Sequence, residues 1–227
     1  MAIMEVLDKG FISLVNFMGS DLAVVASARV SNGITLEEAS KGEEKDQQLI
    51  NYLMKHRHGS PFEHTAFTFF IKAPIFVARE WMRHRIGSFN EQSGRYTEFT
   101  PEFYVPDKFR QSALNNKQGS EFTNDPHADK WLKVNIEKMS IVSFDNYKFL
   151  LNRGVAKELA RLVLPLNMYT QYYWTVNSRA LMNFLNLRCG ENAQWEIRQF
   201  ALAIKEMFKE VMPMTFKAWE QNNYLAP

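Results

Sequence analysis

Hydrophobic and polar positions along the chain change rhythm several times, and each change marks an element. Residues 3–7, closed by Asp8-Lys9-Gly10, read as a strand and turn, and residues 11–17 as a second extended piece. Over residues 43–56, Leu49, Ile50, Leu53 and Met54 form one apolar helical stripe, and the helix ends near Gly59-Ser60-Pro61. Residues 65–72, rich in Phe and Thr, alternate as a buried strand. Pro74 suits the first turn of a helix running to about Met82. Residues 98–105 have an extended, aromatic character closed by Pro106, and residues 111–125 read as a polar surface loop with two Asn in tandem. A long helix is expected over 128–152, capped by Gly154, and a shorter one over 157–163 before Pro165. Residues 168–176 read as a strand, after which Asn177 or Ser178 caps a helix to Leu187. Helices over 193–208 and 213–222 complete the pattern.

With no βαβ rhythm, this order predicts an α+β fold: a mixed, mainly antiparallel sheet flanked by helices in a single domain over residues 1–227. No repeat, low-complexity tract or linker divides it. The composition, 46% hydrophobic and 23% charged, is that of a globular protein. No apolar run approaches the roughly 20 residues that cross a bilayer, and the first residues lack a signal-peptide pattern, so a cytoplasmic protein without a membrane partner is expected. The lone Cys189 excludes an internal disulfide and a Cys-rich metal cluster. A net charge of +2 offers no global field for a polyanion, so anion binding must come from local clusters.

One such cluster exists. Four arginines fall between Arg79 and Arg95, with His84, Glu91, Ser93 and Gly94 among them. Planar guanidinium forks match phosphate oxygens, and Ser93-Gly94-Arg95 adds a hydroxyl, a backbone free to approach an anion, and a cation. Such a run is also commonly a solvated, self-paired surface. A basic strip beside Trp81, Phe89 and Tyr96 is compatible with nucleic-acid binding as well. No GxGxxG or Walker-type loop is present, which leaves arginines as the evident phosphate receptors. Ser93 lacks an evident His-Asp pair to activate it and reads as a phosphate ligand rather than a nucleophile. His56, His58, His64 and His84 with Glu63 are read as hydrogen-bonding or ligand-facing groups, and no metal site is expected.

Arg83-His84-Arg85, Ser88, Asn90-Glu91, Ser93 and Arg95-Tyr96 match position by position the signature RHRxxSxNExSxRY, and through it the chain resembles the flavin-dependent thymidylate synthases. Three further segments are similar to that family: His58 with Ser60 and Pro61-Phe62-Glu63-His64, Ala160 through Pro165, and Trp174-Thr175-Val176-Asn177 through Asn183 to Arg188. The likeness spans roughly residues 3 to 220 apart from the polar loop. It implies reductive methylation of dUMP to dTMP, with methylenetetrahydrofolate as carbon donor and NADPH as reductant through FAD, in a homotetramer whose sites are shared between subunits.

Carried over residue by residue, the resemblance assigns FAD to Ser60, Arg83, His84, Arg85, Glu91, Asn177, Ser178, Arg179 and Asn183. It assigns dUMP to Glu80, Trp81, Met82, Arg83, Glu91, Gln92, Ser93, Gly94, Arg95, Arg161 and Arg188, and catalysis to Arg188, whose guanidinium stabilises negative charge on the uracil ring. This family works without a cysteine nucleophile, although a thiol beside Arg188 is open to a lowered pKa. Two positions depart from relatives. Glu80 stands where some have Gln, and a carboxylate beside a nucleotide requires neutralisation by an arginine such as Arg79 or Arg83. Asn192 stands where some have His, in the loop after Arg188.

Overall fold

The alternation of residues 66–74 organises the centre of the molecule. In the computed structural model, which describes residues 3–35, 37–113 and 119–227, Phe67, Phe69, Ile71 and Ala73 are buried while Thr68, Phe70 and Lys72 between them are only partly covered. A period of two with one face covered is the signature of a half-buried strand. This strand, β3 (Ala66–Pro74), lies in the middle of a five-stranded sheet. On one side it pairs with β2 (Gly10–Met18), which pairs with β1 (Ile3–Val6). On the other it pairs with β7 (Tyr169–Val176), which pairs with β4 (Ser88–Glu91). Every pairing is antiparallel, so the expected mixed sheet is purely antiparallel. Leu7 takes a left-handed conformation in the β1–β2 turn.

Eight helices are described. The inner sheet face is covered chiefly by α3 (Ile75–Trp81), α6 (Ser178–Arg188) and α7 (Trp195–Val211). On α7, Ile197, Phe200, Ala201, Ile204, Met207 and Phe208 are all buried at helical spacing, and they meet the sheet through a Phe67–Phe208 edge contact and α3 through a Trp81–Phe200 one. Two helices, α1 (Asp21–Arg29) and α2 (Glu43–Lys55), pack with α8 (Pro213–Gln221) at the side of this core.

The long helix α4 (Pro126–Asn152) starts on an Asp125 cap whose carboxylate accepts from the N–H groups of His127 and Ala128, both at 3.0 Å. It ends at Gly154, whose φ of 79° lets the chain leave the helix with N–H bonds back to Leu151 and, from Val155, to Leu150. A short α5 (Lys157–Ala160) and a 3-10 turn, Arg161–Val163, follow it.

Other parts of the pattern differ from expectation as well. Helix α1 replaces what the pattern left unassigned. Pro74 closes β3 and precedes α3 instead of lying in its first turn. Residues 98–105 form no strand and touch the sheet only through a bridge between Phe103 and Met168. Around the polar segment, β5 (Arg110–Ser112) and β6 (Ser120–Phe122) make a two-stranded ribbon, and the tandem Asn lie outside the described residues. Among the described residues no helix is long and apolar enough to cross a membrane.

Candidate active site

Part of the arginine motif is a strand. Residues 88–91 pair with Thr175 back to Tyr172, and Phe89 stacks on Trp174 with ring centroids 6.1 Å apart, which anchors an otherwise polar run to the core. The motif carries only one apolar anchor of this kind, so no alternation announces the strand. Beyond β4, Gln92 N–H donates to the Gln171 carbonyl at 2.8 Å, and residues 93–97 turn on the Ser93 carbonyl, which accepts from the N–H groups of Tyr96 and Thr97. Glu91 accepts from the Thr170 hydroxyl at 2.7 Å.

Gly94 is buried in that turn. A Cβ there would come within 2.3 Å of the Phe99 ring and 3.3 Å of the Arg161 Cδ, so the position takes no side chain and Arg161 is brought against the turn. Arg95 reaches Glu158 of α5 at 3.2 Å. Ser93, Gly94, Arg95 and Arg161 therefore form one local group, although they are far apart in sequence.

A second group lies at the end of α6. Arg188, on its last turn, donates Nε–H to His84 Nε2 at 2.8 Å and pairs through Nη1 with the Glu80 carboxylate. The side chains of Arg79, Glu80, Arg83 and Arg188, with Phe76 and Leu166, line a cleft of about 740 Å³. Burial, reinforced by the Arg188 charge, holds His84 down at about 4, so it is a neutral acceptor near pH 7. Its ring edge rests on Phe184, 4.8 Å between centroids. The Glu80 carboxylate, expected to need Arg79 or Arg83, is neutralised by Arg188 instead. Arg83, Arg85 and Arg161 are exposed and make no salt bridge among the described residues, so their cations face solvent. A larger cavity, about 850 Å³, lies against β1, Pro106 and Trp195 and contains none of the motif's residues.

A third group surrounds the start of α6. Asn177 caps the helix through a bond from Ala180 N–H at 2.9 Å. Ser178 is fully buried, its hydroxyl donating to the Phe62 carbonyl at 2.8 Å. Arg179 pairs with Glu63 at 2.5 Å and packs on Gly59, next to exposed Ser60. Asn183 is exposed midway along α6, which thus links this group to Arg188 across about 15 Å at 1.5 Å per residue.

The remaining residues are less direct. Trp81 is wholly buried against Trp174 and Phe184, so its ring faces the core and not the cleft, and Met82 caps α3. The cleft at Arg188 is lined by no residue of the Gly94 turn or of the start of α6.

A model of the family described as thymidylate synthase complementing protein matches residues 13–214. A flavin-dependent thymidylate synthase of Thermosipho africanus is 54% identical over 95% of this chain and 92% of its own length. That of Thermus thermophilus is 49% identical over 96% and 78%. The chain belongs to the flavin-dependent thymidylate synthase family. A UMP/dUMP methylase, PolB of Streptomyces cacaoi, solved with 5-Br dUMP, superposes with a TM-score of 0.90 at 38% identity, covering 99% of this chain and 100% of that one.

Membership in the flavin-dependent thymidylate synthase family gives no support to the nucleic-acid-binding alternative, and the geometry weakens it independently. Of the three aromatics available to stack on bases, Trp81 is in the core, Phe89 is packed on Trp174, and only Tyr96 is exposed. Nor does its setting favour Cys189 as a nucleophile: burial pushes its thiol up to about 11, against the pull of Lys205 and Arg198. No group of three His, Cys, Asp or Glu among the described residues is placed to hold a metal.

Sequence reasoning missed the Glu80–Arg188 and His84–Arg188 contacts, which join residues more than 100 positions apart. The one local signal was the spacing of Glu80 and His84, four apart at the end of a helix.

Proposed function

We propose that this enzyme converts dUMP to dTMP with FAD as its flavin, methylenetetrahydrofolate as carbon donor and NADPH as reductant, in a homotetramer whose sites combine residues of several subunits. The observation that carries the reading is the fixed guanidinium of Arg188 in an arginine-lined cleft, in a chain similar to a methylase solved with a dUMP analogue.

The donor set fits both anions. Unpaired, exposed guanidiniums suit a pyrophosphate and a monophosphate, each charge-assisted bond being worth about 1.5–3 kcal/mol. Ser60, Arg83, His84, Arg85, Glu91, Asn177, Arg179 and Asn183 would hold the flavin, while Ser178, its N–H and hydroxyl engaged by Thr65 and Phe62, would set the start of α6 from the interior. Ser93, Gly94, Arg95 and Arg161 would receive the phosphate of dUMP, the turn lending N–H groups and the side chains charge. Arg83, Met82 and Gln92 would flank the nucleotide.

Arg188 then faces the pyrimidine and stabilises negative charge on the ring as its carbon 5 becomes nucleophilic. Neutral His84 holds the Nε–H and keeps the guanidinium from turning. The flavin, when bound, supplies the hydride that completes the methyl group. Two features support assembly. The outer sheet face is open, with Tyr173 about half exposed and Met18 and Ile3 more so, and α4 presents Trp131, Val134, Ile141 and Phe149 to solvent. Association on such faces would bring the separate arginine groups of neighbouring chains together.

A spectrum of the purified protein tests this directly. Flavin absorbance and NADPH oxidation that accelerates on adding dUMP are the expected results. A colourless protein indifferent to dUMP contradicts the reading.

A further inference from the structure

Glu80 contributes a negative charge to a cleft that otherwise presents Arg79, Arg83 and Arg188. A carboxylate there opposes a bound nucleotide, yet its oxygen is already engaged by Arg188 Nη1. From this contact we infer that Glu80 is a positioning residue, which fixes the guanidinium of Arg188, and not a ligand of the nucleotide. The inference rests on the proposed reaction.

The geometry of the clamp gives the reason. A guanidinium has five N–H donors in a rigid plane. His84 takes the one on Nε, at 2.8 Å, and Glu80 takes one on Nη1. Two fixed points on a planar group remove its rotation, leaving both Nη2 donors free for a ligand. Both acceptors come from one short stretch, α3 and the residues just after it, and α3 is anchored by buried Val77, Ala78 and Trp81.

Arg188 itself sits on the last turn of α6, where Leu187 is 61% exposed and the chain soon leaves the helix. A long side chain at such a place loses orientation readily without partners. A misplacement of about 1 Å at a reacting group costs on the order of 10²-fold in rate. An imidazole is never an anion, so among the described residues Glu80 is the one formal counter-charge in contact with Arg188. A glutamine at position 80 keeps an acceptor oxygen for Nη1 but removes the charge that repels the substrate.

Steady-state kinetics of Glu80→Gln and Glu80→Ala, with dUMP varied at saturating co-substrates, test the assignment. Glu80→Gln is expected to keep kcat within about threefold of wild type while the KM for dUMP falls severalfold, since orientation survives and repulsion does not. Glu80→Ala is expected to lose at least about tenfold in kcat with no rise in KM. Rescue of kcat by Gln relative to Ala is a pattern that mere loss of packing does not produce. If Glu80 bound the nucleotide directly, both variants would raise KM with kcat preserved, and the inference would be overturned. A Glu80→Ala enzyme with wild-type kcat, or a Glu80→Gln enzyme as impaired as Ala, overturns it too. Should Glu80→Ala fail to fold, the kcat and KM of Glu80→Gln decide alone. Failure of the wild-type protein to form dTMP is a separate result, which removes the proposed reaction itself.

Discussion

His84 shows how one side chain links stability to the site. Its pKa of about 4 in the folded protein lies below the ordinary value of 6.5. Above pH 6.5 the imidazole is neutral in both folded and unfolded chains and adds no pH dependence. Between 6.5 and 4 the unfolded chain binds a proton that the folded one refuses, so stability falls as pH falls through that window. Urea unfolding at pH 7 and pH 5 is expected to show a smaller acid loss in His84→Gln than in wild type. Equal losses would mean that His84 is not the group responsible. Cys189 supplies the opposite kind of expectation. With its thiol at about 11, Cys189→Ala should turn over as wild type does in a dTMP assay, and a folded but inactive variant would restore the thiol as a candidate nucleophile.

Elements were legible where the chain repeats a period and silent where long-range contacts decide. The stripe of α2, the alternation of β3 and the aromatic run of β7 each announce themselves, because burial on one face imposes a pattern on the sequence. Helix α1 does not, since it is short and two of its four buried positions, Asp21 and Arg29, are charged. Its buried Asp21 accepts from the N–H groups of Met214 and Thr215 at 2.9 and 2.8 Å and from the Thr215 hydroxyl at 2.6 Å, capping α8 from nearly 200 residues away. Asp21→Ala leaves those donors buried without an acceptor and is expected to cost about 1–3 kcal/mol in denaturant unfolding. A change below about 0.5 kcal/mol would show that the cap is not stabilising. The candidate site divides in the same way. Arg83 to Tyr96 could be read as a motif, but only the resemblance linked Gly94 to Arg161, whose contact with the turn depends on the fold bringing α5 and the residues after it alongside. Gly94→Ala should force Phe99 aside and raise the KM for dUMP by at least about tenfold, and an unchanged KM would remove this turn from the phosphate site.

At the scale of the whole molecule, the Arg188 cleft is lined by no residue of the other two groups, while the outer sheet face and one side of α4 remain open. Sedimentation is therefore expected to show a four-chain species. Replacing Trp131 and Phe149 with Glu should shift it to smaller species and lower activity with them; a wild-type monomer with full activity would contradict shared sites. The most direct measurement is dTMP formation from dUMP, methylenetetrahydrofolate and NADPH by the purified protein and by Arg188→Ala, with bound flavin read from the same samples. The account predicts two yellow proteins of which only the wild type makes dTMP, the variant losing at least about 10²-fold. Wild-type turnover by Arg188→Ala would contradict it.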